Sequence, residues 1–262
     1  MKQRIITGVI AAALFIPIVF YGGLPFTILV YALASVGLYE LIRMKQLTLI
    51  SVPTVLAAVL LWTILIPSKG AQLFEMISLS KVEVTFVIVL LLLSYTVLSK
   101  NTFTFDDASF LLMSAAYVGM GFYYLNETRI AGIHFVFYAL FVIWATDSGA
   151  YFVGKAIGKR KLWPEISPNK TIEGSLGGIA CGIVVAIVYN MFLPVHSNVA
   201  VLIAVTMMIA IFGQIGDLAE SAFKRHYGVK DSGTILPGHG GILDRTDSWL
   251  FVLPLLHFVH FI

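Results

Sequence analysis

QIGDLAESAFKRHYGVKDSGTILPGHGGILDRTDS, residues Gln214–Ser248, gathers much of the charge of an otherwise oily chain. It holds Asp217, Glu220, Lys224, Arg225, Lys230, Asp231, His239, Asp244, Arg245 and Asp247, with long apolar runs on both sides. Of the 262 residues, 59% are hydrophobic and 12% charged, with a mean hydropathy of +0.93. A soluble domain is nearer half apolar and a quarter charged. The chain therefore reads as an integral membrane protein whose polar chemistry is concentrated at one place.

A spanning helix needs about 20 mainly apolar residues. Nine segments approach that length, approximately Ile5–Tyr21, Leu24–Ile42, Leu49–Pro67, Val82–Leu98, Ala108–Leu125, Ile130–Val153, Ile172–Leu193, Val199–Phe223 and Ser248–Ile262. The expected fold is all-α and polytopic. The first two runs could instead form a tight pair around Tyr21–Pro25, and the last could start inside the polar stretch. The opening MKQR lacks a small-x-small cleavage site after its apolar run, so that run reads as a first span rather than a secretory signal. With the N-terminus inside, 14 of the 17 lysines and arginines fall on the inner side, and Lys69, Lys81 and Arg129 on the outer. That bias sets an N-in, C-out orientation. Residues 1–128 look like scaffold, and residues 129–262 carry the polar groups. The lone Cys181 excludes an intrachain disulfide and reads as a small core residue.

Three shorter motifs precede the polar stretch. In Trp144–Tyr151, WATDSGAY, Asp147 lies near the inner end of a span. An ionisable group at that depth usually faces a cavity and has a task; pairing with Lys155 is the plainer alternative. Lys155, Lys159, Arg160 and Lys161 can mark the inner face and attract anionic head groups. Ser167-Pro168-Asn169-Lys170-Thr171 precedes a helix that opens with Glu173. Helix-start N–H groups favour phosphate, and Lys170, Ser167 and Thr171 add charge and hydroxyls; simple N-capping is the alternative. Its glycine spacing is not that of a Walker A loop. Gly174, Gly178 and Gly182 recur every fourth residue and suit close helix packing.

Within the polar stretch, Asp217 and Glu220 share a helical face, and Asp244 and Asp247 repeat that spacing. Mg²⁺ takes oxygen ligands, commonly one or two carboxylates with phosphate and water. These four are the candidate metal ligands. Lys224, Arg225, Lys230 and Arg245 can neutralise phosphate oxygens. In Pro237–Gly241, PGHGG, the glycines let substrate approach the backbone; His239 reads as a hydrogen-bond donor to phosphate, with a general acid–base or a structural loop residue as the alternatives. His134, His196, His226, His257 and His260 read as interface or loop residues.

The stretch resembles the phosphatidate cytidylyltransferase family, the bacterial CDP-diacylglycerol synthases. Ser221, Lys224-Arg225, Lys230-Asp231, Gly233, Leu236-Pro237, His239-Gly240-Gly241, Asp244-Arg245 and Asp247 follow that family's pattern without departure. Upstream, Asp147–Tyr151 and Ser167–Gly174 resemble it too, with Asn169 where lysine is common. The resemblance implies transfer of the cytidylyl group of CTP to phosphatidic acid, giving CDP-diacylglycerol and pyrophosphate. It further implies Mg²⁺ on Asp217, Asp244 and Asp247, allows a monovalent second cation such as K⁺, and implies a homodimer in the bacterial cytoplasmic membrane with its site facing the cytoplasm. On this reading Lys224 and Arg225 join the three aspartates in catalysis. Ser167, Lys170, Thr171, Asp147, Ser221, Lys230, Asp231, His239, Gly240, Gly241 and Arg245 contact substrate, and no nucleic acid is involved. A CTP-dependent lipid kinase and a transporter are the rival readings. The kinase would transfer the γ-phosphate, and the transporter would place its polar site at the midplane.

Overall fold

A computed structural model of the chain describes residues 2–68 and 80–262; Lys69, one of the three expected outer charges, lies outside them. Among the described residues there are nine α-helices: α1 (Lys2–Tyr21), α2 (Gly23–Met44), α3 (Val52–Leu65), α4 (Lys81–Leu98), α5 (Phe105–Ala131), α6 (Ile133–Ile157), α7 (Ile172–Phe192), α8 (Val199–His226) and α9 (Leu243–Phe258). Each apolar run becomes a helix because only that conformation satisfies a single segment's backbone polar groups without water. Seven are long and apolar enough to cross a bilayer. The exceptions are α3, with 14 residues, and α9, with 16. The first two runs are separate helices, joined at Gly22, whose φ of 68° suits a residue without Cβ.

One element departs from the all-helical expectation. β1 (Lys161–Trp163) and β2 (Ser167–Thr171) pair antiparallel, with Lys161 opposite Thr171 and Trp163 opposite Ser167. The phosphate-motif candidate is thus a strand running into a helix. Thr171 Oγ1 accepts from the Gly174 N–H at 3.1 Å and caps α7. Glu173 reaches back to accept the N–H groups of Lys159 and Arg160 at 3.0 and 3.2 Å, fixing the start of the hairpin.

The chain forms two compact units. One comprises Met1–Glu127 with the loop Ser232–Ile242; the other comprises Thr128–Asp231 with Leu243–Ile262. In the first unit, α2 packs on α1 and α3, and α3 on α4. Helices α1 and α4 bury very little of their apolar surface, which suits contact with lipid tails. Ser51 and Ser80 close capping boxes at the starts of α3 and α4.

The second unit is built on α6 and α7, which meet along small residues. A Cβ at Gly178 would lie 2.5 Å from the Thr146 carbonyl. One at Gly174 would lie 2.6 Å from the Ala150 carbonyl, and one at Gly182 2.8 Å from Thr146 Oγ1. Cys181, half-buried rather than in the core, lies over Gly149, where a Cβ would stand 2.7 Å from its Cβ and Sγ. Helix α8 packs on α7 and α9. Gly216 lets α9 approach until the Asp247 carbonyl lies 2.7 Å from where a Cβ would stand. Val136, Val142, Leu202, Ile209, Val252 and Leu253 fill the interior. Polar pairs are buried within it: the Tyr138 hydroxyl meets Thr206 Oγ1 at 2.8 Å, and Thr128 Oγ1 meets His257 Nε2 at 3.0 Å. Gly178→Leu, which drives a large side chain into the backbone of α6, is expected to lose at least the 1–3 kcal/mol typical of overpacking. A thermal melt of the detergent-purified protein should show a lowered midpoint, whereas Val184→Leu on the exposed face of α7 should not.

Candidate active site

The last turns of α6 and α8 and the first turns of α7 and α9 line one cavity of about 840 Å³ within the second unit. Helix α6 contributes a stripe at helical spacing: Asp147, Tyr151 and Lys155, with Ala150, Gly154 and Gly158 beside them. The hairpin and the start of α7 supply Lys161, Asn169, Lys170 and Thr171. Ser175 of α7 follows, then Gln214, Asp217, Glu220 and Lys224 of α8, then Asp231, then Asp244, Arg245, Asp247 and Ser248 of α9. Two separated portions of the chain therefore converge, as the carboxylate spacing led us to expect.

Charge arranges these groups. Lys224 Nζ lies 2.6 Å from Glu220 Oε2 and 2.6 Å from Asp244 Oδ1, so one ammonium ties the end of α8 to the start of α9. Lys170 Nζ reaches Asp217 Oδ2 at 2.6 Å, carrying the hairpin's strand onto α8. The negative charges of Asp217 and Asp147 both bear on Asp247. The cations acting on Asp147 are Lys170 and Arg245; among the described residues, no ion pair joins it to Lys155. Asp247 Oδ1 accepts from the Ser248 N–H at 2.7 Å, and Ser248 Oγ donates to the Gly213 carbonyl at 3.0 Å, which holds α9 against α8.

The donor set suits a hard cation, since it offers carboxylate oxygens and no soft ligand. Glu220 Oε1 is buried without a hydrogen-bond partner, a cost that a cation or a further donor would relieve. Among the described residues, no three acidic, histidine or cysteine side chains surround one point. That is compatible with Mg²⁺, which takes few protein ligands and completes its shell with phosphate and water.

Several expected contacts lie elsewhere. Arg225 is exposed, and its Nε donates to the Ile166 carbonyl at 3.3 Å. Ser221 donates to Asp217 Oδ1 at 3.4 Å. Ser167 and Lys230 do not line the cavity. His239, Gly240 and Gly241 belong to the first unit. Tyr151, Lys161, Gln214 and Ser248 line the cavity without having been singled out as site residues. Two of them were within reach of helical arithmetic: Tyr151 is one turn beyond Asp147, and Gln214 one turn before Asp217. Gln214 Nε2 donates to the Ala210 and Ser175 carbonyls at 3.1 and 3.4 Å, so the amide is oriented by the two helices it joins.

The model of the cytidylyltransferase family matches residues 2–262. The chain belongs to that family. It is 56% identical over 262 residues to the phosphatidate cytidylyltransferase of Bacillus subtilis, covering 99% of this chain and 97% of the relative. Proteins of the same name from Staphylococcus haemolyticus and Staphylococcus aureus are 52% and 51% identical over 258 residues, with 98% of each chain covered. The cavity depends on its ion cluster. Lys224→Met strands two carboxylates, a change that typically costs about 3–5 kcal/mol. Its melting midpoint should fall sharply, and adding Glu220→Gln should recover part of the loss.

Proposed function

We propose that this protein transfers the cytidylyl group of CTP to phosphatidate, releasing pyrophosphate and leaving CDP-diacylglycerol in the membrane. The observation that carries this reading is the cavity at one end of α6–α9, where Asp147, Asp217, Asp244 and Asp247 meet Lys170, Lys224 and Arg245. A phosphate oxygen of phosphatidate attacks the α-phosphorus of CTP in line. The new P–O bond forms as the bond to the bridging α–β oxygen breaks, and that oxygen leaves with pyrophosphate. A phosphate monoester is largely ionised at neutral pH, its second pKa being near 6, so no strong base is needed. What the site must supply is alignment and charge compensation.

Asp217, Asp244 and Asp247 would hold Mg²⁺, with Glu220 beside them and room in the reading for K⁺ as a second ion. When bound, the metal offsets charge on the phosphate oxygens. Lys170 and Arg245 bind oxygens of the triphosphate and lipid phosphate, with Lys155 and Lys161 on the same cavity wall. Lys224 bridges Glu220 and Asp244 and so holds Asp244 in register. Residues 129–262 carry catalysis on this reading, and residues 1–128 act as scaffold.

The helix ends and the hairpin strand lining the cavity carry Lys155, Lys170, Lys224 and Arg245, with Lys159, Arg160 and Arg225 close by in sequence. Such an excess favours the cytoplasmic side. We therefore place the cavity at the inner face of the bacterial cytoplasmic membrane, in a nine-span, N-in arrangement and as a homodimer. Acyl chains then remain in the bilayer while the phosphate enters the cavity.

Purified protein in detergent, given Mg²⁺, phosphatidate and CTP labelled at the α-phosphorus, should pass label to lipid. Entry of γ-label instead would point to a kinase and overturn the reading. Asp247→Asn and Asp217→Asn should each lower turnover by at least about a thousandfold while the melting midpoint is retained. Near-normal turnover in either would remove that residue from the metal-binding set.

A further inference from the structure

Glu40 is fully buried on α2, a candidate span, and lies outside the cavity just described. An ionisable group at such a position is costly and usually has a task. An ionised carboxylate only accepts hydrogen bonds, and both oxygens of Glu40 receive donors from one loop of its own unit. Ser232 Oγ donates to Oε2 at 2.9 Å, and the Ile242 N–H donates to Oε1 at 2.8 Å. These residues are the first and last of Ser232–Ile242. The two glycines next to them leave space for the same carboxylate. A Cβ at Gly233 would stand 2.5 Å from Glu40 Oε1, and one at Gly241 would collide with Oε1 and with Ser232 Oγ.

The tip is fastened separately. The Leu236 N–H donates to the Gly240 carbonyl at 3.0 Å, and the His239 N–H to the Leu236 carbonyl at 2.8 Å, which closes a tight turn. Gly238 and Gly240 take φ of 78° and 88° there, the left-handed region that glycine enters without steric cost. Thr7 Oγ1 donates to the Pro237 carbonyl at 3.0 Å, anchoring the tip on α1. Along the chain, this loop joins Asp231 to Leu243 and Asp244.

We propose that Glu40 is a positioning residue for the glycine loop: its carboxylate clamps the loop's two ends, the residues that follow Asp231 and precede Leu243 and Asp244 in the chain. The task is one of acceptor geometry rather than of charge. Glutamine keeps an acceptor for the Ile242 N–H and a polar partner for Ser232, whereas alanine removes both of these bonds. The catalytic half of this inference rests on the cytidylyl-transfer reading; the structural half does not.

Hydrogen–deuterium exchange on the full-length protein in detergent, combined with the transfer assay, tests both halves. In Glu40→Ala, amides of Ser232–Ile242 should exchange at least tenfold faster, with α3 and α4 unchanged, and transfer should fall at least tenfold. Glu40→Gln should restore most of the protection and most of the activity. Ser232→Ala, which removes one bond, should raise loop exchange by a smaller factor and serves if Glu40→Ala does not fold. Unchanged loop exchange in the alanine variants overturns the proposal, as does faster exchange spread evenly over all helices. Full transfer activity with a loosened loop also overturns it, as does failure of glutamine to rescue. If the wild-type protein itself transfers no cytidylyl group, the functional reading falls, and the exchange measurements alone still decide whether Glu40 holds the loop.

Discussion

One ammonium group organises the charged end of α6–α9. Lys224 is shared between Glu220, one turn behind it on α8, and Asp244, at the start of α9. Removing charges from water is expensive, and the mutual attraction of a buried pair offsets this only when geometry is good. Both contacts here are 2.6 Å, the short range of charge-assisted hydrogen bonds. The result is a fixed angle between two helices, and with it a fixed spacing between Asp217 on one and Asp247 on the other. Lys170 repeats the device, tying the hairpin strand to Asp217.

These clamps explain how a cavity with so many like charges persists. Asp147, Asp217 and Asp247 would push apart if their helices were free to separate. They are held instead by the close approach of α6 to α7 and by the Ser248 contacts that seat α9 on α8. The cost of keeping carboxylates near one another is met by packing elsewhere in the unit. A site built in this way arrives with its charge already placed, which is what phosphoryl and nucleotidyl transfer require.

Much of this was legible in the sequence. Apolar run length pointed to each of the nine helices among the described residues, because a segment in lipid has no other way to satisfy its backbone. The three-residue spacing of Asp217 and Glu220, and of Asp244 and Asp247, put each pair on a helix and pointed to their convergence. The every-fourth glycines read as packing, and they pack. Three things were less visible. The hairpin at Lys161–Thr171 is short, polar and interrupted by Pro164 and Pro168, so it carries no alternating apolar signal. Lys224 and Arg225 look equivalent as adjacent cations, yet successive helical positions face different ways, and Arg225 is exposed. Glu40 was indistinguishable from a charge near a helix end, because its partners lie about 200 residues away.

The seam between α6 and α7 has a lasting consequence for how such a chain can vary. Contact there is made by atoms that are missing, so nearly every substitution at Gly174, Gly178 or Gly182 adds bulk against a carbonyl or hydroxyl. Side chains that interlock can drift in compensating pairs, one shrinking as the other grows. The carbonyls that face Gly174 and Gly178 offer nothing to trim. This seam should therefore stand nearly still over evolutionary time, and an engineer reshaping the cavity would do better to leave it intact and vary the exposed Tyr151 and Asn169 on its wall.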